Sequence, residues 1–182
     1  MIMKLSQAAI LAVGVLAMGG CTPPKTAAPA AKPPAADYQA GATAAAPANV
    51  RAICYNSADL TTVRSRMVQQ ELVVATLQCQ GPGGSRAYEA QYGSFISKYS
   101  SELASNTNAL KQVAGRKRLN IDVFVTEIAN RTAQRAPVDK EFCSRSKRAL
   151  DWALSPGVTS LAQVPPPFDL GPEMNIFPCP AQ

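Results

Sequence analysis

From Asn56 to Trp152 the apolar residues recur at helical spacing, and no stretch alternates in the manner of a half-buried strand, which restricts this chain to a helical fold. Asn56 and Ser57 are residue types that cap helices. A first helix is expected over about 58–79, with Leu60, Val63, Met67, Val74 and Leu77 on one stripe and Val68, Leu72, Ala75 and Cys79 on its neighbour. Its second half, Leu72 to Leu77, is apolar almost all round and is therefore expected at the centre of the domain. The run Gly81-Pro82-Gly83-Gly84 stops it. That run has neither the lysine nor the preceding strand that a phosphate-cradling loop requires, so it reads as a turn.

Tyr88, Tyr92, Phe95, Tyr99 and Leu103, spaced by 4, 3, 4 and 4, define one face of a second helix, expected as core with the tyrosine hydroxyls reaching polar partners. The pattern loosens at Ser100-Ser101 and resumes with Leu103, Leu110 and Val113, which predicts a kink or break near residue 100. A third helix over about 119–135 carries Ile121, Phe124, Val125 and Ile128 and ends before Pro137. A shorter fourth, over about 139–153, carries Phe142, Ala149, Leu150 and Trp152. The last stretch contains Pro165-Pro166-Pro167, Pro172, Pro178 and Pro180, and is expected to wrap the helices as extended chain. The fold class is thus all-α, a small antiparallel bundle of four to five helices with a Pro-rich extended C-terminal segment, occupying residues 50–182.

Both flanks of position 21 differ from this domain. Residues 1–20 comprise a short basic start with Lys4 and an apolar run of eleven residues from Ala8 to Met18. Roughly 20 residues are needed to cross a bilayer core of about 30 Å, so the run fits a cleaved signal peptide rather than a membrane span. Leu16-Ala17-Met18-Gly19-Gly20-Cys21 resembles the lipobox of bacterial lipoproteins, departing from it in carrying Met18 three residues before the cysteine. The resemblance implies cleavage before a lipidated Cys21 and, since position 22 is Thr rather than Asp, sorting to the outer membrane facing the periplasm. Residues 22–49 hold twelve Ala and six Pro with no Leu, Ile, Val, Phe or Trp. Such a composition cannot bury enough apolar surface to fold, so residues 21–49 read as a lipidated cysteine and a disordered linker.

Setting Cys21 aside leaves Cys54, Cys79, Cys143 and Cys179, an even number that reads as two disulfides in an oxidising compartment. Cys54 and Cys79 flank a helix of about 22 residues, roughly 33 Å long, whereas disulfide-bonded Cα atoms lie within about 7 Å. That pairing falls. In an up-down-up bundle the start of the fourth helix meets the end of the first, which gives Cys79–Cys143 and Cys54–Cys179. A true reversal near Ser100 would instead join Cys54 to Cys143.

The chain has no histidine, which removes Ser-His-Asp and Cys-His catalysis and His-ligated zinc. No cysteine spacing matches a metal or redox motif, and no metal or cofactor is expected. Carboxylate chemistry needs no histidine, so Glu71, beside the apolar run, and Glu127, central in the third helix, are the candidate functional carboxylates. Each also fits a structural role: Glu127 has Arg131 at i+4, and Glu71 requires only an arginine or a backbone donor from another element. Residues 50–182 carry a net charge of +4, with basic runs at Arg116-Lys117-Arg118 and at Arg145, Lys147 and Arg148 that suit solvated helix ends. Nucleic acid is not an expected partner of an exported chain. Glu71–Cys79, Phe124–Glu127 and Phe142-Cys143 resemble small exported helical proteins of no assigned activity, and that resemblance brings no site residues. The expected function is a membrane-anchored envelope lipoprotein, held in the bilayer through acylated Cys21, whose domain binds another envelope protein or assists an assembly without catalysis. The alternatives are a cell-wall glycan hydrolase using Glu71 or Glu127, and a periplasmic inhibitor or chaperone-like binder.

Overall fold

A computed structural model describes residues 46–47 and 53–180. The expected signal peptide, Cys21 and nearly all of the linker lie outside the described residues. Four helices account for most of the domain: α1 Ser57–Gln78, α2 Glu89–Lys117, α3 Ile121–Arg135 and α4 Phe142–Leu154. Asn56 starts α1 by accepting the Asp59 N–H on its side-chain oxygen at 2.8 Å. Asn120 does the same for α3, accepting from both Asp122 and Val123. Beyond α1 the chain turns through Gly83 and Gly84, at φ of 72° and 78°, values that glycine adopts without a Cβ clash.

The contacts fix the helix directions. Arg66 of α1 reaches Thr107 of α2, while Asp59, about two turns earlier, reaches Arg116, so the two helices are antiparallel. Tyr88 donates to the Cys143 carbonyl and Tyr99 to the Ala153 carbonyl, which sets α4 alongside the first half of α2 and antiparallel to α1. As expected of the most apolar helix, α1 is central and packs against the other three. It separates two core clusters. Val68, Leu72, Phe95, Tyr99 and Leu150 lie between α1, α2 and α4, whereas Val63, Met67, Ile128, Phe142, Phe168 and Ile176 lie toward α3 and the C-terminal chain.

Three expectations are corrected. The helix does not break near residue 100: α2 runs unbroken through Ser100 and Ser101. Its buried stripe continues as Tyr99, Leu103, Asn106, Leu110 and Val113, and the apparent loosening came from Asn106, a polar residue buried in an apolar position. Its side-chain amide donates to the Thr62 carbonyl at 2.8 Å, which meets the demand of a buried polar group for a partner.

The fold is also not purely helical. Ile53–Tyr55 (β1) and Ile176–Pro178 (β2) form a two-stranded parallel sheet in the register Ile53 with Ile176 and Tyr55 with Pro178. Three-residue strands are too short to show alternation in sequence, and Pro178 is tolerated because it closes an edge strand. Finally, the C-terminal chain is more than an extended wrap. It contains 3₁₀ turns at Leu161–Gln163 and Pro172–Met174, and its Val158, Leu161, Val164, Phe168, Leu170, Ile176 and Phe177 are all buried.

Two disulfides close this arrangement, Cys54–Cys179 beside the sheet and Cys79–Cys143 between the end of α1 and the start of α4. With α2 continuous, the geometry that joins Cys54 to Cys143 does not arise.

Candidate functional site

The two candidate carboxylates occupy opposite kinds of environment. Glu71 lies midway along α1 with 0% of its surface exposed. Its Oε2 accepts the Phe168 N–H at 3.0 Å, and its Oε1 is buried without a hydrogen-bond partner. Burial pushes the carboxyl well above the ordinary carboxylate range. The Phe168 N–H and the positive charge of Arg135 oppose that shift, while Asp169 and Glu173 add to it. Phe168 covers the site. Its ring stacks on Phe142 at 5.1 Å, and the guanidinium groups of Arg135 and Arg145 lie 5.6 and 5.4 Å from its centroid. A carboxyl enclosed in this way favours its protonated form, as a general acid must, yet it has no exposed surface for a substrate to meet.

Glu127 lies on α3, its side chain 42% exposed and 2.7 Å from Arg131 one turn on. Arg131 also approaches Glu173 at 3.7 Å, and Arg135 pairs with Glu173, so alternating charges tie α3 to the turn at Pro172–Met174. With no exposed surface, Glu71 cannot share a solvent-filled cleft with Glu127. The structure therefore does not assemble them into a carboxylate pair across an open site. No group of three or more acidic or cysteine side chains suited to a metal occurs among the described residues, and no described helix is long and apolar enough to cross a membrane.

Beside Glu127 lies a groove of about 330 Å³ between α3 and the C-terminal turn. Leu119, Val123, Phe124 and Met174 form its apolar lining, with Glu127, Arg131 and Glu173 along the rim. Val123 is 64% exposed. Sequence reasoning overlooked this groove, although a signal existed. The apolar stripe of α3 comprises Ile121, Phe124, Val125 and Ile128, and Val123 is an apolar residue that falls off it.

The basic runs are largely occupied within the fold. Arg116 and Lys117 approach the buried Asp59 carboxylate at 2.6 and 3.9 Å, and Lys117 also donates to the Cys54 carbonyl and lies over the Tyr55 ring. Lys147 pairs with Asp151, and Arg145 is held against Phe168. Comparison with protein-family models, with curated proteins and with solved structures finds no match to this chain.

Proposed function

We propose that this chain is an exported lipoprotein anchored through Cys21 whose helical domain is a non-enzymatic binding or assembly-accessory module of the bacterial envelope. The observation that carries this reading is the pairing of a sealed Glu71 with an open apolar groove at Val123. The carboxyl best suited to acid catalysis is shut away as a latch on the C-terminal chain, while the groove beside Glu127 is open and largely apolar and its charged groups pair with one another. A pocket of that character takes an apolar side chain from a partner, with charged rim groups setting orientation. Two disulfides in a small domain suit an oxidising compartment outside the cytoplasm. They support export independently of the N-terminal sequence.

Cys21→Ser tests the anchoring half of the proposal. A lipidated cysteine with several acyl chains holds a protein firmly, so the variant is expected to leave the membrane fraction or to accumulate as uncut precursor. Unchanged processing and membrane association would remove the lipoprotein reading. The binding half is tested by crosslinking the membrane-bound protein in cells and identifying adducts by mass spectrometry.

A further inference from the structure

Arg66 is a buried cation with no ion-pair partner among the described residues. It sits on α1 with 8% of its surface exposed, its Nη1 donating to the Gln69 side chain at 2.6 Å and its Nη2 to the Thr107 hydroxyl at 2.7 Å. Both partners are neutral, and its Nε is buried with no acceptor. None of the ion pairs among the described residues includes it. Burial lowers its pKa from the ordinary arginine value. Buried charges in proteins are normally paired, because desolvating one alone is costly. Asp59 on the same helix follows that rule through Arg116.

Arg66 lines a cleft of about 270 Å³ between α2 and α3. Leu110, Ile121 and Val125 supply its apolar lining, and Lys111, in none of the ion pairs among the described residues, adds a second cation. Asp122 also borders the cleft, so the three ionic groups leave one net positive charge. We infer that this cleft binds a small organic carboxylate carrying a short apolar body, with the head group on Arg66 and the body against Leu110, Ile121 and Val125. Gln69 and Thr107 engage one N–H each and the Nε–H is buried, so the second N–H of Nη1 and of Nη2 are the donors left for a planar carboxylate, and a low-dielectric surround strengthens the contact. The chemistry is met equally by a medium-chain fatty acid and by the C-terminus of an apolar peptide. The inference does not depend on the binding-module reading, since this cleft and the Val123 groove share no residue.

Calorimetry and NMR on the mature, oxidised protein distinguish the sources, with octanoate as one probe and N-acetyl-leucyl-leucine as the other. Saturable binding of either, with a shift of the Arg66 Nε–H resonance, is expected. Binding of octanoate alone assigns a lipid-derived ligand, and binding of the dipeptide alone assigns a peptide terminus. Octanol, which lacks the charge, is expected to bind at least about tenfold more weakly, because a hydrogen bond to a charged group is lost. Arg66→Met is expected to abolish the difference between octanoate and octanol. Lys111→Gln, at an exposed position that leaves the fold intact, is expected to weaken the anion severalfold at low salt. Failure of both carboxylates to bind at about 10 mM, or equal binding of octanoate and octanol to the wild-type protein, would overturn the inference.

Discussion

Glu71 fastens the C-terminal chain to α1 by accepting the Phe168 N–H at 3.0 Å. Its raised pKa makes a signed prediction. Because the folded protein holds this proton more tightly than the unfolded chain, the contribution is fully present below the unfolded carboxyl pKa of about 4.3 and is lost as pH rises through the folded value. The wild type should therefore lose stability relative to Glu71→Gln as pH is raised from about 4, by at most about 1.4 kcal/mol per pH unit. Glu71→Leu removes the acceptor altogether and orphans the Phe168 N–H, at a cost of about 1 to 3 kcal/mol near pH 5. Urea unfolding of the three proteins at pH 5 and pH 8 measures both effects, and a pH-independent difference between wild type and Glu71→Gln would exclude the protonated latch. That Glu71 sits beside buried positions was legible from the apolar run around it. Its partner was not, because Phe168 lies 97 residues away and no local pattern links them.

Among the elements, α2 fixes the end of α4 and the start of the C-terminal chain through hydrogen bonds. Tyr99 donates to the Ala153 carbonyl at 2.7 Å, and Lys98 donates to the Ala153 and Ser155 carbonyls, so α2 caps the end of α4 where helix carbonyls lack partners. Burial and the nearby Glu102 push the Tyr99 hydroxyl up to about 12, which keeps it a donor throughout the neutral range. One turn further, Glu102 accepts from the Leu161 N–H and the Ser160 hydroxyl and fixes the entry of the C-terminal chain. Tyr99→Phe should cost about 1 kcal/mol, and Glu102→Ala about 1 to 3 kcal/mol, both without change in helix content. Denaturant midpoints with far-UV circular dichroism check this, and loss of helicity in either variant would mean that α2 itself depends on these contacts. Helix identity was readable because four long apolar stripes repeat at helical spacing. The continuity of α2 was not, because Asn106 fills a stripe position with a polar group whose partner, the Thr62 carbonyl, belongs to another helix. The three-residue strands left no pattern at all; their pairing depends on contact between residues more than a hundred positions apart.

For the whole molecule, the two disulfides do what a larger core would do elsewhere. They close loops with sequence separations of 125 and 64 residues, each worth on the order of 4 to 5 kcal/mol in the chain-entropy treatment. Reduction should therefore lower the melting temperature by tens of degrees, and non-reducing peptide maps should contain Cys54 joined to Cys179 and Cys79 joined to Cys143. The pairing was legible because cysteine count, helix length and up-down order restrict it strongly. The groove was less so, since it is formed where Met174, on a proline-rich turn, meets a helix face about fifty residues earlier in the chain. The proposed role rests on that groove, and a photo-reactive p-benzoylphenylalanine in place of the exposed Val123 probes it in living cells. The binding-module account predicts one discrete protein adduct at this position, lost when Phe124→Ala is added. No adduct at position 123, together with a muropeptide-cleaving activity that disappears in a Glu127→Gln protein of unchanged melting temperature, would contradict it.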